Sequence, residues 1–178
     1  MANYRRLYRK GGTYFFTVVT QERRPIFSNA TNVQKLRDTF RTVMKKSPFT
    51  IEAIVIFPDH IHCLWTLPND DKDFSNRWKE IKYRFSIGYN RFFAKSGSKV
   101  KKKEKGLWQR RFWEHLIRDQ QDYNRHFDYI HYNPVKHKLT ERAIDWPYSS
   151  FKRFVHKGFY EENWGSIPPK DIMDMELE

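Results

Sequence analysis

The sequence has 178 residues, with 34 Lys and Arg against 21 Asp and Glu, a formal net charge of +13 at pH 7 and a pI near 9.8. This length suits one domain with a hydrophobic core and argues against two domains. The single cysteine, Cys63, excludes an internal disulfide and a cysteine-based zinc cluster. The sequence has no membrane-length apolar run and no signal-peptide pattern, and it therefore predicts a cytoplasmic protein with no membrane partner.

The excess of positive charge favours a polyanionic partner, nucleic acid above all. Aromatic residues make up 17% of the chain, and many of them stand among cations, as in residues 108–113. Cations that neutralise phosphates and rings that stack on unpaired bases are typical of proteins that bind single strands. Charge alone is also compatible with a basic protein of another kind. The alternative for the aromatic rings is that most of them lie in the core.

The predicted elements follow a basic, aromatic arm at residues 1–12. Segments rich in β-branched and aromatic residues predict four strands, at 13–20, 50–57, 60–67 and 113–118. Apolar residues at helical spacing predict three helices, at 32–46, 74–94 and 120–132. Asp119 is suited to cap the third helix and Pro134 to end it. A segment at 135–142 is a further candidate helix.

The first six elements have the order of a split β-α-β fold, ferredoxin-like or RRM-like, with a central antiparallel sheet. We therefore predict an α+β protein of one domain, residues 1–178. Its catalytic core would be residues 13–133, with a basic loop at 95–106, an additional tyrosine-bearing helix and a C-terminal tail at 134–178. In this layout the first and third strands lie in the middle of the sheet.

Two histidines, His60 and His62, lie two residues apart at the start of the third predicted strand. Residues two apart point to the same face of a strand, so both imidazoles share a face with Leu64, and Cys63 lies on the other. Two imidazoles so placed can converge on one metal ion. A His-x-His pair alone is a weak signal, because such pairs are often structural.

The third predicted helix carries Tyr129 and Asn133 four residues apart, on one helical face. If this helix lies across the histidines, the amide oxygen is a third metal ligand and the phenol a nucleophile. The alternative is an ordinary, partly buried tyrosine. His126, His131 and the metal itself are the candidates for the group that deprotonates Tyr129, and Asp59 is a turn residue that can also hold a ligand histidine in place.

Residues 57–65, which contain the His-x-His pair, resemble the HUH motif of the single-tyrosine HUH transposases, and residues 128–136 resemble their tyrosine motif. The resemblance is strongest to the REP-associated tyrosine transposases of bacteria. It covers most of the chain and includes residues 4–6, 10–13, 74–78, 108–115 and 145–150. The long basic insert at 95–106 is the main departure from the family pattern.

The resemblance implies a metal-dependent single-strand DNA endonuclease and strand transferase acting on repetitive extragenic palindromic hairpins. His60, His62 and Asn133 would hold Mg²⁺ or Mn²⁺, and Tyr129 would form a 5′-phosphotyrosine intermediate. Tyr4, Arg5 and Arg6 resemble the segment that recognises the short sequence beside the hairpin. The resemblance to the REP-associated group also implies that the protein is a monomer.

Further DNA contacts are predicted from the positions of cations among aromatic residues, and each of these cations has the alternative of a solvated surface charge. The candidates are Arg77, Lys79, Lys82, Arg110 and Arg111. Two other functions stay open: a hairpin DNA- or RNA-binding regulator that does not cleave, and a metal hydrolase that uses water in place of Tyr129.

Overall fold

The computed structural model describes residues 6–89, 106–175 and 177. Its centre is a four-stranded antiparallel sheet of β1 (Thr13–Val19), β2 (Thr50–Ile56), β3 (His60–Thr66) and β4 (Trp113–Leu116). The strand order β2-β3-β1-β4 places β1 and β3 in the middle, as the ferredoxin-like prediction requires. The fold class predicted from the sequence is therefore confirmed.

Within the described ranges, four α-helices accompany the sheet. These are α1 (Ala30–Lys46), α2 (Phe74–Ser86), α3 (Gln120–Lys136) and α4 (Phe151–His156). Side-chain oxygens cap the first three: Asn29 accepts from the Thr31 amide, Asp73 from the Asn76 amide and Asp119 from the Asp122 amide. The predicted cap at Asp119 is thus present.

The alternation of side chains along the strands builds two cores, one on each face of the sheet. Tyr14, Phe16 and Val18 of β1 pack with α1 and α2 on the first face. Phe15 of β1 and Leu64 of β3 pack with α3 and α4 on the second face. Both faces are therefore covered, and the second, which carries His60 and His62, is the face over which α3 lies.

The second helix is shorter than predicted. Its apolar spacing predicts a helix as far as residue 94, but α2 ends at Ser86, and Gly88 follows with φ +90°. Tyr89 still packs on Phe85, with ring centroids 5.4 Å apart. The apolar spacing therefore continues beyond the end of the helix. The remaining predicted helical residues and almost all of the basic loop at 95–106 lie outside the described residues.

The third helix is longer than predicted, because α3 continues through Pro134 to Lys136. A proline lacks the amide hydrogen that would bond to the carbonyl four residues earlier. Near the end of a helix few bonds remain to be lost, and the amides of His137 and Leu139 bond to the carbonyls of Asn133 and Pro134. No helix follows over residues 138–142, so the predicted helix at 135–142 is wrong beyond Lys136.

The segment after α3 packs on the second core instead of extending away from it. Phe151 and Tyr160 are buried there with Ile172 and Met175. The Tyr148 carbonyl accepts from the Ile56 amide, and the Ser150 amide donates to Ile54, so this segment also covers the free edge of β2. Among the described residues, no helix is both long and apolar enough to cross a bilayer.

Candidate active site

His60 and His62 lie side by side on the second face, fully buried, with ring centroids 4.8 Å apart. Each ring is held through its Nδ1 atom. His60 Nδ1 is 2.6 Å from the Asp59 carboxylate, and His62 Nδ1 is 2.9 Å from Thr17 Oγ1. The Pro58-Asp59 turn closes the β2–β3 hairpin, and the Phe57 amide donates to the His60 carbonyl. The same turn therefore positions both the start of β3, with its histidines, and the Asp59 carboxylate.

These partners determine which nitrogen of each histidine carries the proton. The Thr17 hydroxyl donates its one hydrogen to the Leu177 carbonyl at 2.7 Å, so it accepts from His62 Nδ1–H. Burial raises the pKa of Asp59, but hydrogen bonds from His60 and Arg23 outweigh this effect and hold the pKa below its ordinary value. The Asp59 carboxylate therefore accepts from His60 Nδ1–H. Both Nε2 atoms are left with a lone pair. Such outer contacts fix the tautomer of metal-binding histidines in general.

Neither Nε2 atom has a hydrogen-bond partner among the described residues, although both are buried. Burial lowers the pKa of His62 well below its ordinary value, with a smaller contribution from the neighbouring basic side chains. His62 is therefore neutral at physiological pH, the form in which imidazole binds metals. Buried polar atoms are normally satisfied, so these two lone pairs are suited to bind a metal ion.

Tyr129 lies on α3 directly against this pair. Its side chain is 1% exposed, and its ring centroid is 5.6 Å from that of His62. Phe15 packs between strand and helix, 5.4 Å from His62 and 6.0 Å from Tyr129, and it fixes their separation. The helix therefore lies on the face that carries the histidines, the one geometric condition on which the predicted site depends.

Asn133 follows Tyr129 by one turn on the same helical face. Tyr129 lies against His62, and His137 lies near His60 with ring centroids 5.9 Å apart. Asn133, midway between them in sequence, is fully buried, and neither its amide oxygen nor its nitrogen has a partner among the described residues. Asn133 thus lies on the helix between the two residues that contact the histidine pair, and two imidazole nitrogens with an amide oxygen form a donor set that fits a divalent cation.

Sequence reasoning missed two residues of this site, Lys136 and His137, because it ended the helix at Pro134. With α3 continuing, Tyr129, Asn133 and Lys136 recur at spacings of four and three and share one face. Lys136 Nζ lies 5.0 Å from the Tyr129 ring centroid and donates to the Met175 carbonyl at 2.7 Å. A cation is therefore held beside the phenol.

His131, one candidate base for Tyr129, belongs to a different part of the structure. Its Nε2 atom is 2.8 Å from Ser150 Oγ and its Nδ1 atom is 3.2 Å from the Tyr160 hydroxyl, and both contacts lie in the second core. Burial lowers the pKa of His131 to about 3. Both ring nitrogens hold the helix to the C-terminal segment, so His131 is not the base.

His126, the other candidate, lies one turn before Tyr129 and belongs to a hydrogen-bonded group with His115 and Asp122. Asp122 contacts His115 Nε2 at 2.8 Å and His126 Nδ1 at 3.1 Å. The ligand atoms of these three residues lie within 4.8 Å of one another, close enough for a metal. However, Arg118 also contacts the carboxylate, at 3.3 Å, and Asp122 lies at the positive end of α3. We therefore interpret the group as Asp122 holding two imidazoles, His115 through its carboxylate and His126 through its backbone carbonyl, at 2.8 Å each.

The structure contradicts one predicted DNA contact. Arg77 is 4% exposed, and its guanidinium donates to the carbonyls of Ser47, Pro48 and Asp73 and to the Asp71 carboxylate. It joins α2 to the end of α1 and cannot reach a phosphate. The sequence places a cation on the polar side of a helix, but it does not reveal that three carbonyls converge there.

The other predicted contacts are more accessible. Lys79, Arg110 and Arg111 are exposed, while Lys82 is half-buried, with its Nζ bonded to the Gln109 carbonyl. Arg6 pairs with Glu114 at 3.2 Å and lies over the Phe112 ring. Tyr4 and Arg5 lie outside the described residues. A groove of about 580 Å³ is lined by Arg6, Ser75, Lys79, Lys82, Tyr83, Arg110 and Phe112, among others.

Comparison with known proteins adds the family context. Residues 9–133 match the family described as "Transposase IS200 like". The chain is 45% identical to a REP-associated tyrosine transposase of Escherichia coli, over 92% of this chain and 91% of that protein. It is also 45% identical to a putative REP-associated tyrosine transposase of Haemophilus influenzae, over 97% and 98% of the two chains.

A solved structure resembles the chain over nearly its whole length. It is the REP-associated tyrosine transposase bound to a REP hairpin, with a TM-score of 0.80 and 42% identity, covering 99% of this chain and 96% of that one. The similarity therefore includes both the sheet with its histidine pair and the C-terminal segment beyond residue 133.

Proposed function

Because the chain belongs to the IS200-like transposase family, we propose that it is a metal-dependent endonuclease and strand transferase that cleaves single-stranded DNA through a 5′-phosphotyrosine. Its substrates would be repetitive extragenic palindromic hairpins, the ligand of the relative in the solved complex. Tyr129 is the proposed nucleophile, and His60, His62 and Asn133 are the proposed metal ligands.

One observation supports this proposal above the others: the Tyr129 ring is buried 5.6 Å from the His62 ring, beside two Nε2 lone pairs that lack partners among the described residues. A structural tyrosine does not need such neighbours. A nucleophile that attacks a metal-bound phosphate does, since the attacking oxygen and the phosphate must lie within contact distance.

The proposed reaction is a transesterification. The Tyr129 hydroxyl loses its proton, its oxygen attacks the scissile phosphorus to form a new O–P bond, the bond to the 3′ oxygen breaks, and that oxygen takes up a proton to become a 3′ hydroxyl. A phenol with an ordinary pKa near 10 is a weak nucleophile at neutral pH. The Lys136 ammonium, 5.0 Å from the ring centroid, stabilises the negative charge that the phenol oxygen gains when it loses its proton. The phosphodiester energy is retained, which allows rejoining.

We propose Mg²⁺ or Mn²⁺ as the cofactor. An amide oxygen in the donor set favours a harder cation than zinc, which binds His and Cys ligands in tetrahedral sites. Such a cation, when bound, polarises the phosphate and stabilises the leaving oxygen. Thr17 and Asp59 hold the two imidazoles by Nδ1, and the Nε2 atoms would be the metal ligands.

DNA binding is assigned to the basic groove and the arm before β1. Lys79, Lys82 and Arg110 line the groove, and Arg6 is held at its wall by Ser75 and Glu114. The exposed Arg111 follows Arg110 in the chain. Positive grooves lined with aromatic rings bind nucleic acid through phosphate and base contacts. We further propose that the chain is one domain that acts as a monomer in the cytoplasm.

A cleavage assay tests the proposal. The protein is mixed with synthetic REP hairpins that carry single-stranded flanks, with top and bottom strands tested separately, in Mg²⁺, in Mn²⁺ and in EDTA. We expect a covalent protein–DNA adduct on a denaturing gel with metal and none in EDTA. Tyr129→Phe should abolish the adduct but leave hairpin binding intact.

Two alternative functions give different results in the same assay. A non-cleaving regulator would bind the hairpins and produce neither fragments nor adduct with either metal. A hydrolase that uses water would produce fragments, but none attached to protein, and would retain activity in Tyr129→Phe. Either result would overturn the covalent mechanism.

A further inference from the structure

We propose that Trp113 forms a stacking platform for an unpaired base next to the scissile phosphate. The inference rests on the proposed function, because it requires DNA to be held at the His60–His62 pair. It deepens that function by assigning the residue that holds the flanking single strand at the catalytic face.

The sheet register places Trp113 beside the catalytic pair. Trp113 pairs with Thr17 across β4 and β1, and Thr17 pairs with His62 across β1 and β3. Residues directly opposite one another point to the same face of a sheet, so all three side chains lie on the second face. Two strand spacings, about 10 Å, separate Trp113 from His62, a distance that the nucleotide next to a bound phosphate can span.

The indole is available to a ligand. Trp113 is 39% exposed and lies on the edge strand β4, whereas the other five tryptophans, all within the described part of the chain, are buried or half-buried. Helix α3 packs mainly on β2 and β3, and it meets β4 at His115 through Asp122 and His126. Trp113, at the first position of β4, keeps an exposed indole on the second face, beside the proposed active site.

The ring is also held in position. The His115 imidazole lies parallel to Trp113, at 7° and with centroids 5.9 Å apart, and the His126 ring lies parallel to His115, at 13° and 4.7 Å. Hydrogen bonds to Asp122 fix both imidazoles. This gives the otherwise unexplained group of His115, Asp122 and His126 a role, since it supports one face of the ring and leaves the rest for a base.

The edge strand also lies between the two parts of the proposed DNA site. Glu114, next to Trp113, faces the first side of the sheet and pairs with Arg6 at the wall of the basic groove. Trp113 faces the second side, with the catalytic pair. A hairpin bound in the groove must send its single strand over the β4 edge to reach His60 and His62, and Trp113 lies on that path.

The chemistry of an indole platform predicts its selectivity. Stacking on an aromatic ring is worth about 1–3 kcal/mol per base and tolerates any base, since every base has a π-face. We therefore expect Trp113 to discriminate a base from an abasic site instead of one base from another. Loss of the ring should weaken binding about ten-fold.

The test uses the full chain in a Tyr129→Phe background, which prevents cleavage. The probe is a synthetic REP hairpin with a single-stranded flank, in which 2-aminopurine replaces one flanking base at a time. We expect quenching of 2-aminopurine at one position next to the scissile phosphate. Trp113→Leu should relieve the quenching and weaken binding about ten-fold, whereas Trp113→Tyr should retain most of both.

A double-mutant cycle excludes a merely structural effect. An abasic site at the quenched position should weaken binding to the Tyr129→Phe parent but have little further effect on the Trp113→Leu variant. A hairpin without the flank should bind both proteins equally. Phe159→Ala, which removes another exposed ring (69%) far along the chain, serves as the matched control and should match the parent.

The outcomes separate this inference from the function on which it rests. If the parent binds the hairpin and Trp113→Leu leaves both quenching and affinity unchanged, the stacking platform is wrong and the proposed function stands. If the parent fails to bind the hairpin and the protein with Tyr129 intact forms no adduct, the proposed function fails and the platform with it.

Discussion

At the scale of single residues, the site depends on contacts that orient His60 and His62. The Thr17 hydroxyl is used twice, donating to the Leu177 carbonyl and accepting from His62, and the Asp59 carboxylate is shared by His60 and Arg23. Sequence patterns identified His60 and His62 because strand alternation is a local rule. They could not identify Thr17, which lies 45 residues away and contacts His62 only through the strand register.

Asp59→Asn should weaken metal binding, because an amide presents its oxygen without the charge that favours His60 Nδ1–H. Substitutions of such outer contacts typically cost about 10–100-fold in metal affinity. Titration of Mn²⁺ by isothermal calorimetry measures the change. Asp38→Asn, on the exposed surface of α1, is the matched control and should bind metal like the wild type. Equal affinity in Asp59→Asn would show that the carboxylate does not orient the ligand.

Arg77→Ala should lower stability and leave DNA binding unchanged. The substitution leaves three carbonyls and a carboxylate without their buried partner. It should lower the free energy of unfolding by about 3 kcal/mol, which corresponds to a melting temperature lower by roughly 6–12 °C for a chain of this size. Lys79→Ala, two residues later and exposed, should show the reverse: a melting temperature near that of the wild type and weaker hairpin binding. An Arg77→Ala protein that melts like the wild type would contradict this role.

At the scale of secondary-structure elements, the sequence predicted all four strands and the first three helices of the described part of the chain, but it placed the ends of two helices wrongly. Helix α2 stops at Ser86 although the apolar spacing continues to Tyr89, because side-chain periodicity does not report where the backbone turns. Helix α3 continues through Pro134, because tertiary packing in the second core outweighs one lost hydrogen bond. This second error hid Lys136, which shares the Tyr129 face of α3, and His137, which directly follows the helix.

The attachment of α3 to β4 through Asp122 should depend on pH. Burial raises the pKa of Asp122, but hydrogen bonds from His115 and the Arg118 amide outweigh it and hold the pKa at about 2, below the ordinary value of 3.8. Because the folded-state pKa is the lower one, the carboxylate stabilises the fold above about pH 4. The contribution, about 2 kcal/mol, is lost as the pH falls from about 4 to 2.

Urea unfolding at pH 6 and at pH 2.5 measures this contribution. Asp122→Asn should be less stable than the wild type by about 2 kcal/mol at pH 6, and the difference should shrink at pH 2.5. A difference of the same size at both pH values would mean that the charge on Asp122 does not hold the helix. Asp145→Asn, on an exposed turn, controls for general effects of removing a carboxylate.

At the scale of the whole molecule, the fold places the basic groove and the proposed catalytic residues on opposite faces of the sheet. One face of the sheet, with α1 and α2, carries the basic groove, and the other, with α3 and the C-terminal segment, carries the histidines and Tyr129. Composition predicted a nucleic-acid partner from the net charge of +13. It could not predict this division, which follows from the antiparallel order of the strands and the alternation of their side chains.

Hairpin binding should weaken steeply with salt, because cations that neutralise phosphates release bound counterions. In a plot of log affinity against log salt concentration, Arg110→Ala should reduce the slope by about one, the effect of one lost phosphate contact. Fluorescence anisotropy at several salt concentrations provides the measurement. Arg41→Ala, a cation paired with Asp38 on α1, should keep the wild-type slope. An unchanged slope in Arg110→Ala would remove that residue from the interface.

The central claim is that Tyr129 attacks the DNA, and the most direct measurement is to identify the residue that carries the DNA after cleavage. The adduct formed with Mn²⁺ is digested with nuclease and protease, and the modified peptide is sequenced by mass spectrometry. We predict a 5′-phosphonucleotide on Tyr129, in the peptide that also contains Asn133. A nucleotide on another residue, such as the neighbouring Tyr132, or cleavage with no modified peptide at all, would contradict the mechanism.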